Sequence, residues 1–277
     1  MGYNNAPSFE NLVVFDIETI PDTNLAGELC DLSAEQAAAM SLPELRDAMA
    51  QYHIEKHNGN AFLRQPFHRI ACISFLLAEI TNNFGREQYT FKKLESYSAF
   101  NATEEEVARK FWKLLEASKP RIVSFNGKVF DINVLKCKAL QYGIDCSWYF
   151  NFGSKFDSYE YPYADAHFDL LRKYGEYTLH EMCIALHIPC KLGVDGSHVA
   201  EYFDDGKFNE IREYCETDVL ATYLVYLRMA FVQGWIDKDE YNNCVKTVEG
   251  HLQNTNKKGL KEFLDEWYRL NPKGLVM

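Results

Sequence analysis

Leu12-Val13-Val14-Phe15-Asp16-Ile17-Glu18-Thr19 decides how the chain is read. Its first four residues are all apolar and three are β-branched or aromatic, which describes a strand covered on both faces at the centre of a sheet. Side chains two apart on a strand share a face, so Asp16 and Glu18 point one way and Ile17 the other. Two carboxylates at the mouth of an apolar core repel each other and are poorly solvated, unless a cation lies between them. Taken alone, the pair also fits a polar strand end with solvated acids. The partners downstream decide between the two.

Working outward, Ile20-Pro21-Asp22 breaks the strand, and residues 22–66 read as a helical insertion rich in Ala, Leu, Glu and Met, with Pro43 at a helix start. Arg69 to Ile80 and Gln88 to Lys92 predict a second and a third strand that form a meander with the first. Thr103 and Glu106 make a capping box for a helix to about Ser118, with Val107, Phe111, Leu114 and Leu115 facing the sheet. Arg121 to Phe125 predicts a short fourth strand. The Asn126-Gly127 turn signal then sets Asp131 at or near the start of a helix ending near Tyr142. In isolation Asp131 reads equally as a plain N-cap, with Phe130 a staple into the core.

Residues 143–176 read as irregular, and Tyr149, Tyr159, Tyr161, Tyr163 and Tyr174 alternate there with Lys155, Arg172 and Lys173. Rings and cations together suit the bases and phosphates of single-stranded nucleic acid, and the same tyrosines suit loop packing. A helix from Thr178 to His187 precedes the turn-rich loop Lys191 to Ser197, whose amides could cradle a phosphate and whose serine could cap a short helix. A long helix from about Asn209 to Gln233 carries Tyr214 and Asp218, four apart and so on one face. The same spacing from Tyr161 to Asp165 contains Pro162 in a loop and carries no such meaning. Two further helices in 236–277 read as a packed C-terminal appendage, which leaves residues 1–235 as the main domain.

A chain of 277 residues that is 47% hydrophobic can bury one large core and is not disordered. No apolar leader or membrane-length run is present, which implies a cytoplasmic protein that meets no membrane. Its eight cysteines lack any C-x-x-C and read as reduced thiols; Cys183, His187 and Cys190 suggest zinc but lack a fourth ligand at standard spacing. The net charge of −11 argues against a protein that holds long nucleic acid by electrostatics alone, yet leaves room for one that grips a few nucleotides beside bound cations.

Asp16-x-Glu18, Asn126-x-x-x-Phe130-Asp131 and Tyr214-x-x-x-Asp218, in that order, resemble the three exonuclease motifs of the DEDD superfamily of 3′-to-5′ exonucleases, in its tyrosine subclass. Tyr214 to Leu220, Lys191 to Ser197 and His167-Phe168-Asp169-Leu170 are similar, more closely, to predicted bacterial exonucleases related to the proofreading domain of family-B DNA polymerases. The histidine subclass has His five residues before the last acid, where this chain has Glu213. No polymerase module accompanies the similarity, which covers residues 10–235.

The resemblance implies a ribonuclease H-like α/β fold, a mixed sheet flanked by helices. It also implies a metal-dependent exonuclease that releases nucleoside monophosphates from the 3′ end of single-stranded DNA or RNA with two Mg²⁺ or Mn²⁺ ions. By that pattern Asp16, Glu18 and Asp218 hold the first ion, Asp16 bridges to the second, and Asp131 reaches the second through water. Tyr214 orients the nucleophile, while Thr19, Asn126 and Phe130 touch the substrate. The chemistry agrees on independent grounds: four carboxylates make a hard oxygen cage, and a phenol with a pKa near 10 is a poor base at neutral pH. A binding module without turnover and a dinucleotide phosphodiesterase capped by residues 22–66 are the alternatives.

Overall fold

The buried run forms the central strand. In the computed structural model, which describes residues 9–151, 167–171, 175–190 and 196–277, β1 (Asn11–Pro21) pairs antiparallel with β2 (His68–Asn83) and parallel with β4 (Arg121–Ser124). β3 (Arg86–Ser98) lies antiparallel to β2, and β5 (His167–Asp169) parallel to β4, giving the order β3-β2-β1-β4-β5. Leu12, Val13, Val14 and Phe15 are wholly buried, as a strand between two helical layers requires.

Between β1 and β2 the chain leaves the sheet through α1 (Ala26–Leu29), α2 (Ala34–Ala39) and α3 (Leu42–Lys56). Ser33 and Ser41 each form a capping box, and Pro43 sits in the first turn of α3 where it costs no hydrogen bond. The Asp22 N–H donates to the Phe67 carbonyl at 2.8 Å, closing the excursion at its base, and Ala26, Leu45, Met49 and Leu63 give it a small core of its own.

α4 (Glu104–Ser118) starts at the Thr103 capping box and packs Phe111 on Phe15, 5.2 Å between ring centres. α5 (Asp131–Tyr142) follows β4, and α6 (Ser147–Asn151), α7 (Leu179–Leu186) and α8 (Val199–Asp204) lead to α9 (Phe208–Val232). α9 is buried along most of its length and lies on β1 and β2. α10 (Lys238–Gln253) and α11 (Lys258–Leu270) add Val245, Val248, Phe263 and Trp267 to the same core. The result is the mixed sheet flanked by helices that the resemblance implies.

Three elements differ from the sequence reading. β3 is longer than Gln88 to Lys92, because its ladder with β2 extends through Ser96 and Ser98, residues with no apolar signal. α6 and β5 form in a stretch read as irregular; β5 spans only three residues, too short for a periodicity, and exists through its pairing with β4. Tyr159, Tyr161, Tyr163, Tyr174, Lys155, Arg172, Lys173 and most of the Lys191 to Ser197 loop lie outside the described residues.

Candidate active site

β1 changes character where its acids begin. The register with β2 shifts between Glu18 and Thr19, which pair with Cys72 and Ile70, so that Ala71 of β2 is the extra residue of a bulge just past the acidic pair. Asp16 lies opposite Ser74 and Glu18 opposite Cys72, and this face meets α9. There the Cys215 thiol donates to the Asp16 carbonyl at 3.5 Å and to Asp16 Oδ2 at 3.6 Å.

The third acid arrives through a tight turn. β4 ends at Ser124, and Asn126 takes a left-handed conformation, φ 64°, that asparagine tolerates better than most residues. A Cβ on Gly127 would lie 2.6 Å from Ser124 Cβ, so only glycine fits as the chain folds back. Asp169, at the end of β5, accepts hydrogen bonds from the amides of Asn126 (2.8 Å), Lys128 (3.0 Å) and Leu171 (3.2 Å), pinning the turn. Asp131 then opens α5, and its Oδ1 accepts the Ile17 N–H at 3.1 Å, between the two acids of β1. Asp131 is thus the first helical residue and not the N-cap, which is Phe130. Sequence reading missed the part played by Asp169, because the two partners that pin the turn, the amides of Asn126 and Lys128, are some forty residues away and leave no local signal.

α9 supplies the remainder. Tyr214 and Asp218 stand one turn apart, and the two side chains are hydrogen-bonded. Asp16 is held well above the usual carboxylate range by burial and then by the charges of Asp131, Glu18 and Asp218, against a smaller opposing effect of the Cys215 hydrogen bond. Glu18 is raised by burial and by Asp218, Cys72 and Asp131. Asp131 is pushed up to about 7 by burial, with its two backbone hydrogen bonds opposing and Asp169 adding to the rise. Among the described residues, no lysine or arginine is among the groups acting on these three acids. Burial, then Asp218, Glu18 and Asp16, lift the Tyr214 phenol far above its ordinary value, so it stays protonated. The five residues that the sequence nominated for chemistry therefore share one site.

The softer nominations divide. Thr19 and Phe130 line a cleft of about 540 Å³ together with Glu18, Arg46, Phe62, His68 and Ala200. Asn126 is not among its walls; its amide and carbonyl are engaged in the turn. α3 and α8, both lining the cleft, are joined by Arg46, whose Nη2 lies 2.6 and 2.7 Å from the two Asp204 oxygens. Glu213, at the histidine subclass position, accepts the Gly259 N–H at 2.5 Å and so docks α11 on α9.

The donor set fits divalent cations. Asp16, Glu18 and Cys215 offer ligand atoms within 4.8 Å of one another, and hard carboxylate oxygens suit Mg²⁺ or Mn²⁺. Crowded acids raised by one another gain most from a cation. Among the described residues, Cys183, His187 and Cys190 form no such ligand group.

Residues 60–267 match the predicted 3′-5′ exonucleases related to the exonuclease domain of PolB. The chain belongs to this family. The match contains Asp131, Tyr214 and Asp218 and begins after Asp16 and Glu18, which the fold brings to the same place. No curated protein matches the chain. The family, with the five-stranded sheet, makes the fold ribonuclease H-like and the chain a predicted nuclease with nucleic acid as its substrate. Among the described residues, no helix is long and apolar enough to cross a membrane.

Proposed function

We propose that the chain is a metal-dependent 3′-to-5′ exonuclease, hydrolysing the terminal phosphodiester of single-stranded DNA or RNA and releasing nucleoside monophosphates. The observation that carries this reading is the convergence of Asp16, Glu18, Asp131 and Asp218, from a strand end and two helices, in a chain of a predicted exonuclease family. These four carboxylates would hold two Mg²⁺ or Mn²⁺ ions. When bound, such ions neutralise the phosphate and make water a competent nucleophile at neutral pH. Asp131, tied to the Ile17 amide, keeps α5 in register with the acids of β1. Cys215 orients the Asp16 carboxylate. Tyr214, protonated, gives its one O–H to Asp218; its hydroxyl oxygen is left to accept from the attacking water and orient it, and the phenol does not act as the base. Thr19 contributes from the cleft edge and Phe130 from its wall; Asn126 acts on the substrate indirectly, by shaping the turn before Asp131. In this reading residues 1–235 are the exonuclease domain, with 22–66 inserted, and 236–277 brace α9 through Lys257 and Glu216, whose Nζ and Oε1 are 2.6 Å apart.

A second reading, a phosphodiesterase for dinucleotides, draws support from the Arg46–Asp204 pair, which holds two walls of the cleft together. Both readings meet in one experiment: 5′-labelled two- and twenty-nucleotide DNA and RNA with Mn²⁺, Mg²⁺ or EDTA, beside Asp16→Ala. The exonuclease gives a metal-dependent ladder shrinking from the 3′ end of the longer strands, absent in the variant. Cleavage of the two-nucleotide substrates alone would select the second reading, and no cleavage at all would remove both.

A further inference from the structure

The excursion between β1 and β2 ends on the cleft with an aromatic ring in the open. Phe62 is 59% exposed and lines the cleft, and its backbone is fixed: the Phe62 N–H donates to Asn60 Oδ1 at 2.9 Å, and His53 Nδ1 donates to the Asn60 carbonyl at 2.9 Å. The Phe62 ring stands 5.4 Å from Phe130 and 5.2 Å from His68, and Phe130 meets His68 edge-on at 4.9 Å. Gln65 Nε2 donates to the Val129 carbonyl at 3.2 Å, fastening the end of the insertion to the residue before Phe130.

His68 carries no charge into this group. Its Nε2 donates to the Leu63 carbonyl at 2.9 Å, so in the neutral ring Nδ1 accepts from the Thr19 hydroxyl, also at 2.9 Å. Burial lowers its pKa and keeps it neutral. The rings therefore make an uncharged aromatic surface, one hydrogen bond from the bulge that follows Glu18. An apolar ring left 59% exposed on a fixed backbone adds little to the core, and a flat π-surface beside a phosphate-handling site matches one ligand class, the nucleobase.

We propose that Phe62 of the insertion completes, with Phe130, a seat for the base of the 3′-terminal nucleotide, so that residues 22–66 are part of the substrate site. The proposal rests on the exonuclease reading for which nucleotide is seated. Stacking accepts any base, so the seat sets affinity and end-binding and does not select a sequence. A cleft of about 540 Å³ is of the size that takes a small ligand of this kind.

The test is calorimetric titration of the full chain with Mn²⁺ present, using adenosine 5′-monophosphate and ribose 5-phosphate. The wild type binds the nucleotide roughly 10-fold or more tightly than the sugar phosphate, Phe62→Ala brings the two within about twofold, and Phe62→Tyr restores the gap. On strands ending in adenosine, Phe62→Ala raises KM by roughly 10-fold with kcat unchanged, and has little effect on strands ending in an abasic sugar. A wild type that does not separate the two ligands, or a Phe62→Ala protein of normal melting temperature that keeps the full gap, would overturn the seat. A wild type that separates them yet cleaves no strand would support the seat and count against the exonuclease.

Discussion

At the Leu12 end of β1, Arg121 gives two hydrogen bonds of 2.6 Å to Glu87 and one of 2.9 Å to the Tyr226 hydroxyl, and lies against the rings of Phe9, Phe168 and Trp235. At the Glu18 end, Glu18 and Asp131 are buried too and Asp16 is half-buried, and among the described residues the charges acting on them are those of other acids and, for Glu18, of the Cys72 thiol. One end of the strand is a closed circuit, in which each buried charge has a hydrogen-bonded counterpart. The other is an open one. Burying unbalanced charge costs stability, and a fold keeps such a site where a cation or substrate will balance it. Lys138, wholly buried beside Glu104 at 3.2 Å and Asp22 at 3.7 Å, and Glu216, bonded to Lys257, belong to the closed kind. The acids of β1 and α5 are thereby set apart from the other buried charges named here.

The sharpest way to break this contrast is to neutralise one charge at each end. Asp16→Asn should lower cleavage by at least ~10³-fold, as loss of a cation ligand removes several kcal/mol from the transition state. It should leave the melting temperature of the metal-free protein unchanged or raise it, because it relieves repulsion. Glu87→Gln should do the reverse, costing about 3 kcal/mol by stranding a buried guanidinium and leaving cleavage per folded molecule near normal. Thermal melts in EDTA beside initial rates read both. An Asp16→Asn protein destabilised as much as Glu87→Gln would mean that the acid cluster is structural.

How much of this was legible in the sequence follows from the range of the interactions. The carboxylates of β1 could be placed because a buried strand fixes alternation, and Tyr214 with Asp218 because helical spacing fixes a face. Asp131 was placed at a helix start by the Asn126-Gly127 turn, but its bond to the Ile17 amide, 114 residues away, is tertiary and has no signature. Asp169 and Glu87 act the same way, and Phe62 gains meaning only where the insertion folds back on Phe130. The resemblance supplied the order of the motifs and not the cleft, because the insertion falls between the quoted stretches.

A smaller effect sharpens the contrast through pH. Asp131 moves from its ordinary value of 3.8 to about 7, and Asp16 and Glu18 are raised as well, so between those values the folded metal-free protein holds protons that the unfolded chain has released. Stability then falls as pH rises across that window, because the native state is the one that binds more protons. Cations take the place of those protons. Melts in EDTA from pH 5 to pH 8 should therefore slope downward by several degrees, while melts in Mn²⁺ should flatten, so that the gain from Mn²⁺ grows with pH. A gain from Mn²⁺ that is the same at both limits would show that the acids are already ionised without metal.

The smallest expected effect tests Tyr214, which borders the open end without being an acid. Its phenol is raised out of the accessible pH range by burial and by Asp218, Glu18 and Asp16, so its proton is present at every pH at which the chain is assayed. Tyr214→Phe removes the hydrogen bond to Asp218 and the hydroxyl oxygen that would position the attacking water. A positioning bond of this kind is worth about 1 to 2 kcal/mol, so kcat should fall roughly 10-fold. The alkaline side of the pH–rate profile should keep its shape, because no titrating group has been lost. A fall beyond ~10⁴-fold that also removes the alkaline inflection would instead make the phenol a general base. That outcome would require the acids around it to be neutralised by cations strongly enough to bring the phenol back into range, which links the role of Tyr214 to how completely the open end of β1 is closed by metal.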